Sequence, residues 1–486
     1  MKGVRLGLLI SVSERYALAI VALASSILVA RILTPEEIGI YSVSLAVVAV
    51  AQVLRDFGIG SFLVQAKELT DAYVRTAFGI SLVIGASLFA IVWALAPFAA
   101  RFYNEPALLE TLFLSSLNFL ILPFCSISMA ILRREMRFKR IAAVNLIAAI
   151  ASAITIVYAA YLGAGPNSMA IGSVVLSLVT GLGTWFARSN RRFLMPAFTE
   201  WRALLSYGGQ ATAASAVTSI AVSSNDLVLG KVLGFGPVAI ISRAQGLMNL
   251  FHRDFMTAIR NVAFPAFATA HREGQALEEK YIASVTSITA IAWPFYGMLA
   301  LFPLEIMRLM FGPQWDTAAN LVPIFAMAGA VSASVNLVQP LLIASGRIDL
   351  ASKAEFIVQP IRFVLIAVTA IVFENITACA IAYLLVTILT TPVFYWFKHR
   401  AIATDFRHLA QGLARSALVS ICTLAAPAIY SFSAGFGRSE PEPISLFVTT
   451  AIITALVWLV ALQSLGHPLS KDPAFLRIRS RIKRPF

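Results

Sequence analysis

The chain has 486 residues, of which 59% are hydrophobic and 13% charged, and carries a formal net charge of +14. So little charge cannot cover a soluble body of this length, which excludes an ordinary water-soluble enzyme or binding domain. The cationic excess alone would suit nucleic acid, but its placement along the chain argues against that partner.

Apolar runs of about 20 residues recur from end to end, each long enough at 1.5 Å per residue to cross roughly 30 Å of hydrocarbon. In chain order they predict spans at 12–33, 39–62, 77–100, 111–132, 142–161, 168–187, 205–230, 238–262, 281–302, 318–345, 350–373, 375–397, 408–432 and 444–466. The first follows Lys2, Arg5 and Arg15, and so many later spans make it a retained helix rather than a cleaved signal. The fold class is thus all-α, a polytopic membrane protein with about fourteen transmembrane helices. Cys125, Cys379 and Cys422 all fall inside apolar runs, with neither metal-ligand nor disulfide spacing.

The connections after even-numbered spans, together with both tails, hold about 27 of the 38 Lys and Arg residues. Arg133, Arg134, Arg137, Lys139 and Arg140 form one cluster, and Arg188, Arg191, Arg192 and Arg202 another. A third closes the chain, from Lys471 to Arg484. Positive charge marks the cytoplasmic side, so both termini are expected there, with the basic tail beside anionic lipid head groups and no nucleic acid involved.

The chain also resembles itself at a separation of about 200 residues, the mark of duplicated transporter halves. Arg31-Ile-Leu-Thr-Pro-Glu-Glu-Ile-Gly-Ile-Tyr-Ser42 stands opposite Lys231-Val-Leu-Gly-Phe-Gly-Pro-Val-Ala-Ile-Ile-Ser242, and Arg55-Asp56-Phe57 opposite Arg253-Asp254-Phe255. Six spans per repeat give both halves one orientation, related by an axis along the membrane normal. The expected organisation is a six-helix lobe over 1–195 and a pseudo-symmetric second over 196–400 around a central cavity. Two additional helices follow over 401–466, then a basic cytoplasmic tail over 467–486.

Polar residues gather on four predicted helices. The seventh carries Thr212, Ser215, Ser219, Ser223 and Asp226 within about 80° of one another at 100° per residue. Helix-to-helix packing explains the serines as readily as a cavity does. Asp226 is either half of a structural pair with Lys231 or a site for a coupling cation, since an intramembrane carboxylate must be paired or wetted. The eighth helix carries Ser242, Gln245, Asn249, Arg253 and Arg260 on one face, and the second carries Gln52, Arg55 and Asp56. The tenth presents Ser332, Asn336 and Gln339 beside Pro340, which should kink it. Arg55 and Arg253 lie ~24 Å from the external end, either snorkelling to the cytoplasmic head groups or lining a cavity. Arg31, Lys231 and Arg243 would form an outer tier. A cavity with cations at both depths selects an anionic solute, and guanidinium suits phosphate. No catalytic or metal motif appears and no cofactor is called for; the five histidines are scattered, His252 alone lying well inside a span.

With these features the sequence resembles the polysaccharide-transporter branch of the multidrug/oligosaccharidyl-lipid/polysaccharide exporter superfamily, which contains the O-antigen and exopolysaccharide flippases. The carrying residues in the first half are Leu33-Thr-Pro-Glu-Glu-Ile-Gly-Ile-Tyr41, Asp56-Phe-Gly-Ile-Gly60, Phe102-Tyr-Asn-Glu-Pro106 and Leu132-Arg-Arg-Glu-Met-Arg-Phe-Lys139. In the second half they are Asn225-Asp226-Leu227, Gly230-Lys231-Val-Leu-Gly234, Phe264-Pro265-Ala266, Gly312-Pro-Gln-Trp315 and Ser345-Gly-Arg347. Ile241 departs from the pattern, standing where an aromatic would repeat Tyr41.

The resemblance implies a bacterial inner-membrane flippase that moves an undecaprenyl-diphosphate-linked oligosaccharide from the cytoplasmic to the periplasmic leaflet. Arg55, Arg253 and Arg260 would capture the diphosphate and pass it to Lys231, Arg243 and Arg31. Asp226, with Asp56 as the second candidate, would bind a coupling H⁺ or Na⁺. The partners would be the lipid-linked anionic glycan, the bilayer and a polysaccharide polymerase machinery. A peptidoglycan-precursor flippase and a multidrug/cation antiporter are the alternatives within transport. A membrane-embedded glycan polymerase or ligase is the alternative from another class, though the outer connections are short for one.

Overall fold

The computed structural model describes residues 2–56, 59–66, 68–188, 195–202, 204, 224–433 and 440–471, without the side chains of 2–9, 12, 53–56, 61, 253–254, 258 and 471. All of the regular structure described is helical. In chain order the helices are α1 (Lys2–Ile32), α2 (Pro35–Asp56), α3 (Ile59–Gln65), α4 (Asp71–Tyr103), α5 (Ala107–Arg134), α6 (Phe138–Tyr161) and α7 (Asn167–Ala187). A helical stretch at 224–232 is α8. Then follow α9 (Phe235–Asn249), a π turn (Leu250–Phe255), α10 (Met256–Arg272), α11 (Leu277–Leu301) and α12 (Pro303–Met310). After the 3₁₀ turn Pro313–Trp315 come α13 (Asp316–Ala319), α14 (Val322–Val335), α15 (Val338–Ala344) and α16 (Ile348–Phe373). The last are α17 (Ile376–Ala401), α18 (Phe406–Ser433) and α19 (Ile444–Ser464).

Among the described residues eleven helices are long and apolar enough to cross a membrane. Of the three other expected spans, 205–230 lies mostly outside the described residues, 39–62 falls on α2 and α3 with 57–58 outside the described residues, and 238–262 is divided by the π turn. Exposed apolar side chains face outward along these helices. On α6 the stripe is Ile147, Ile150, Ile154, Tyr158 and Tyr161, at helical spacing. That face would be a liability in water and is the expected surface in hydrocarbon. The protein is an all-α, multi-pass membrane protein.

Several sequence motifs are helix boundaries. Thr34 and Glu37 form a capping box: the Glu37 N–H donates to Thr34 Oγ1 at 3.3 Å, and the Thr34 N–H donates to Glu37 Oε2 at 2.8 Å. Pro35 occupies the first helical position, where its missing N–H costs nothing. In Phe102-Tyr-Asn-Glu-Pro106, Asn104 closes α4 in the left-handed region at φ 56°, and Pro106 precedes α5. Gly312 takes φ 99° ahead of the Pro313–Trp315 turn, a conformation a side chain would strain. The tenth span kinks as expected, but at Asn336–Leu337, between α14 and α15. This is one turn before Pro340, because proline cannot donate to the residue 336 carbonyl and its ring pushes that carbonyl away.

The chain forms two compact units, Met1–Ala239 and Ile240–Phe486, the boundary falling inside α9. In unit 1, α5 packs against α4 and α7, and α6 against α7 and α1. The Arg134 guanidinium donates to the carbonyls of Leu63, Val64 and Ala66 at 3.0, 3.2 and 2.6 Å. This basic-cluster residue thus caps the C-terminus of α3, satisfying carbonyls that have no helical partner. In unit 2, α11 packs against α14 and α18, α17 against α14 and α16, and α19 against α18.

Candidate functional site

In unit 1 the residues of the first repeat motif meet the region that opens α9. Glu36 Oε2 accepts a 2.7 Å hydrogen bond from the Gly236 N–H, placing a carboxylate at a helix N-terminus. A Cβ on Gly39 would stand 1.9 Å from the Phe235 carbonyl oxygen, so only glycine permits this approach. The Tyr103 hydroxyl donates to the Leu227 carbonyl at 2.9 Å. Lys231 Nζ donates to the Phe102 carbonyl and lies 4.5 Å from the centre of the Phe102 ring. Among the described ion pairs none joins Lys231 to Asp226, so the structural pair expected from their spacing is replaced by these contacts to α4. Asp226 is half-buried on α8, beside Asn225, whose Oδ1 is buried with no hydrogen-bond partner. Arg31 lies in the last turn of α1 and is exposed, and Gln52 is half-buried on α2.

In unit 2 five segments wall a cleft of about 170 Å³. The π turn contributes His252 and α10 contributes Arg260. From the α14–α15 kink come Ser332, Asn336 and Gln339, with Asn336 Nδ2 3.3 Å from His252 Nδ1. Helix α16 adds Glu355, Gln359 and Arg362, spaced four and three apart so that they share one face. Helix α17 adds Tyr383, Thr387, Thr390 and Thr391 at the matching spacing.

The threonines donate backward along their own helix, to the carbonyls of Tyr383, Val386 and Thr387 at 2.8, 2.7 and 2.8 Å. With their protons so engaged, what their oxygens retain is lone pairs, and these can accept from a ligand hydroxyl. Gln359 Nε2 donates to Glu355 Oε2 at 2.8 Å. The Arg362 guanidinium lies 5.4 Å from the Tyr383 ring centre, and its Nε–H is buried with no hydrogen-bond partner. Two guanidiniums, one carboxylate, amides and hydroxyls make a surface suited to an oxyanion and to sugar hydroxyls together.

The expected site residues distribute as follows. Arg260, Asn336 and Gln339 come together at the cleft. Gln245 and Asn249 are half-buried on α9, and the cleft takes its residues from the π turn onward. The single face expected for the eighth helix assumes an unbroken α-helix, and the π turn shifts its register after Asn249. Arg243 is held locally, 5.2 and 5.3 Å from the ring centres of Phe311 and Trp315. Arg55 is the penultimate residue of α2, with Asp56 last, and Arg253 sits in the π turn; their side chains lie outside the described set. Thr212, Ser215, Ser219 and Ser223 also fall outside the described residues. Unforeseen are Glu355, Gln359, Tyr383 and the three threonines, whose signal was a polar residue every three or four positions on two otherwise apolar helices.

The family model for polysaccharide biosynthesis proteins matches residues 28–320. The chain belongs to that family. Among curated members of the polysaccharide biosynthesis proteins, it is 24% identical over 371 residues to the lipopolysaccharide biosynthesis protein WzxC of Escherichia coli (strain K12), an alignment covering 76% of this chain and 75% of that protein. It is also 24% identical over 309 residues to the succinoglycan biosynthesis transport protein ExoT of Rhizobium meliloti (strain 1021), covering 63% of this chain and 62% of that one. The fold is that of the lipid II flippase MurJ in its inward closed conformation, with a TM-score of 0.72 at 13% identity over 93% of this chain and 98% of that one. The relatives named here for an activity are a transport protein and a flippase, not catalysts.

Proposed function

We propose that the protein is a flippase of the bacterial inner membrane, with both termini cytoplasmic. By alternating access it carries an undecaprenyl-diphosphate-linked oligosaccharide from the cytoplasmic to the periplasmic leaflet, for surface or exopolysaccharide assembly. Within the polysaccharide biosynthesis family, the observation that supports this most is the cleft of unit 2, where guanidiniums stand among hydroxyl and amide groups on apolar helices. A membrane protein keeps such groups only for pairing or for a polar ligand.

In this reading Arg55 and Arg253 capture the diphosphate, and Lys231, Arg243 and Arg31 receive it near the outer face. Moving two negative charges outward, down an inside-negative potential, releases ~4–5 kcal/mol per 100 mV. Asp226, with Asp56 as the alternative, binds a returning H⁺ or Na⁺, and a polysaccharide polymerase takes up the product. Arg55→Ala and Arg253→Ala, each made in the native strain, should abolish surface glycan while the protein still inserts in the membrane. Normal glycan in both strains would sink the capture step. Asp226→Asn should remove the dependence of translocation on an ion gradient in reconstituted vesicles; unchanged dependence would return Asp226 to a structural role.

A further inference from the structure

We infer that the cleft of unit 2 is a subsite for a sugar bearing a carboxylate, a hexuronic acid unit of the glycan, with Arg362 as the residue that reads the acid. The inference rests on the translocation reading above and adds which sugar the protein prefers.

Three observations lead to it. The first is charge: two guanidiniums, Arg260 and Arg362, border the cleft against one carboxylate, Glu355, already engaged by Gln359. A lining that carries guanidinium groups favours an anionic group on the ligand. The second is size: a cleft of about 170 Å³ has room for a sugar ring. The third is the hydrogen-bonding character of the walls. Thr387, Thr390 and Thr391 spend their protons on α17 carbonyls, so their oxygens accept from sugar hydroxyls.

Arg362 is singled out because its Nε–H is buried without an acceptor, whereas buried donors in folded proteins nearly always have one. Its guanidinium lies 5.4 Å from the Tyr383 ring centre, and a carboxylate can meet such a fork with two parallel hydrogen bonds. The same oxyanion chemistry could be offered by a phosphate of the lipid carrier, and the two sources separate cleanly by experiment.

The full-length protein, purified in nanodiscs, is titrated with two short-chain polyprenyl-diphosphate disaccharides identical except that one ends in glucuronic acid and the other in glucose. Wild type should bind the glucuronic acid probe on the order of 10-fold more tightly, the contribution of one charge-assisted pair. Arg362→Gln should bring that ratio to about 1, and Arg362→Lys, which keeps the charge but not the fork, should leave it in between. Equal binding of both probes by wild type would overturn the inference and assign the guanidiniums to the phosphate common to both. A preference that survives Arg362→Gln would also overturn it. Binding of neither probe by wild type would overturn the translocation reading and this inference with it.

Discussion

In unit 1, Asn118 of α5 donates to Ser173 Oγ of α7 at 2.9 Å and accepts from Ser177 Oγ at 2.5 Å, while Cys125 Sγ donates to the Ser177 carbonyl at 3.2 Å. Every polar group in that set is spent on another, and the two helices are locked together. In unit 2, the polar face shared by α16 and α17 opens instead onto a cleft, where the buried Arg362 Nε–H has no acceptor. The residue types overlap, so composition does not separate glue from a binding wall; satisfaction does. Polar residues that close on one another should matter for stability, and those that open onto a cavity for ligand choice.

The largest stability effect is expected at the most enclosed pair. Lys398 of α17 has a side chain 0% exposed; its Nζ donates to Glu278 of α11 and, at 2.9 Å, to Thr404 Oγ1, and it lies 4.6 Å from the centre of the Tyr281 ring. Glu278 Oε1 also accepts from the Asp405 N–H at 3.1 Å. Lys398→Met should lower unfolding stability in detergent by about 3–5 kcal/mol, because it strands a mostly buried carboxylate. Adding Glu278→Gln should recover part of the loss. A wild-type unfolding midpoint in the single variant would break the rule that closed networks carry stability.

Next comes a closed network past the last span. His467 is fully buried; its Nδ1 accepts from the Leu469 N–H at 3.2 Å, so the neutral ring carries its proton on Nε2, 3.2 Å from Ser416 Oγ. Thr289 Oγ1 donates to the same Ser416 oxygen, which donates on to the Thr286 carbonyl, both at 2.9 Å. Burial, and then the charge of Arg415, push the imidazole down to about 4. The folded state therefore binds fewer protons than the unfolded chain between pH ~6.5 and about 4. Stability should be complete above that window and fall by up to ~3 kcal/mol as pH drops through it. His467→Gln should flatten this acid dependence in thermal melts; an unchanged slope would place the titration elsewhere.

Asn118→Ala is expected to be milder, ~1–3 kcal/mol, since it leaves Ser173 and Ser177 short of a partner each but strands no charge. It should lower the melting point without altering the glucuronic acid preference assigned to the cleft of unit 2. A changed preference with an unchanged melting point would reverse the contrast between the units.

Much of this was legible in the sequence because it rests on local rules. The apolar runs gave the helices, Thr34-Pro-Glu-Glu37 announced a capping box, and Pro340 announced a kink that falls one turn earlier. The cleft was legible only in part. Selecting the most polar helices favours the seventh and eighth and passes over α16 and α17, whose Glu355, Gln359, Arg362 and threonines are few but aligned. Angular arithmetic at 100° per residue carries across 238–262 only if the helix is regular, and a π turn leaves no reliable mark in composition. Arg134 shows the converse: its charge is read correctly as cytoplasmic, while its work in capping α3 depends on a contact some seventy residues away.

The smallest effect should come from a pair that looks as good on paper as the buried one. Arg347 Nε donates to Asp349 Oδ1 at 3.1 Å, and the flanking Gly346 at φ 77° turns the chain so that the two side chains meet. Both are close to half exposed, at 44% and 48%, so water and salt screen each charge whether or not the other is present. Asp349→Asn should leave the unfolding midpoint of the protein in detergent unchanged within error, at low and at high salt. A loss comparable to that of Lys398→Met would mean that ion-pair geometry, and not enclosure, sets the strength of these contacts. The contrast drawn between closed networks and open faces would then have to be rebuilt on distance alone.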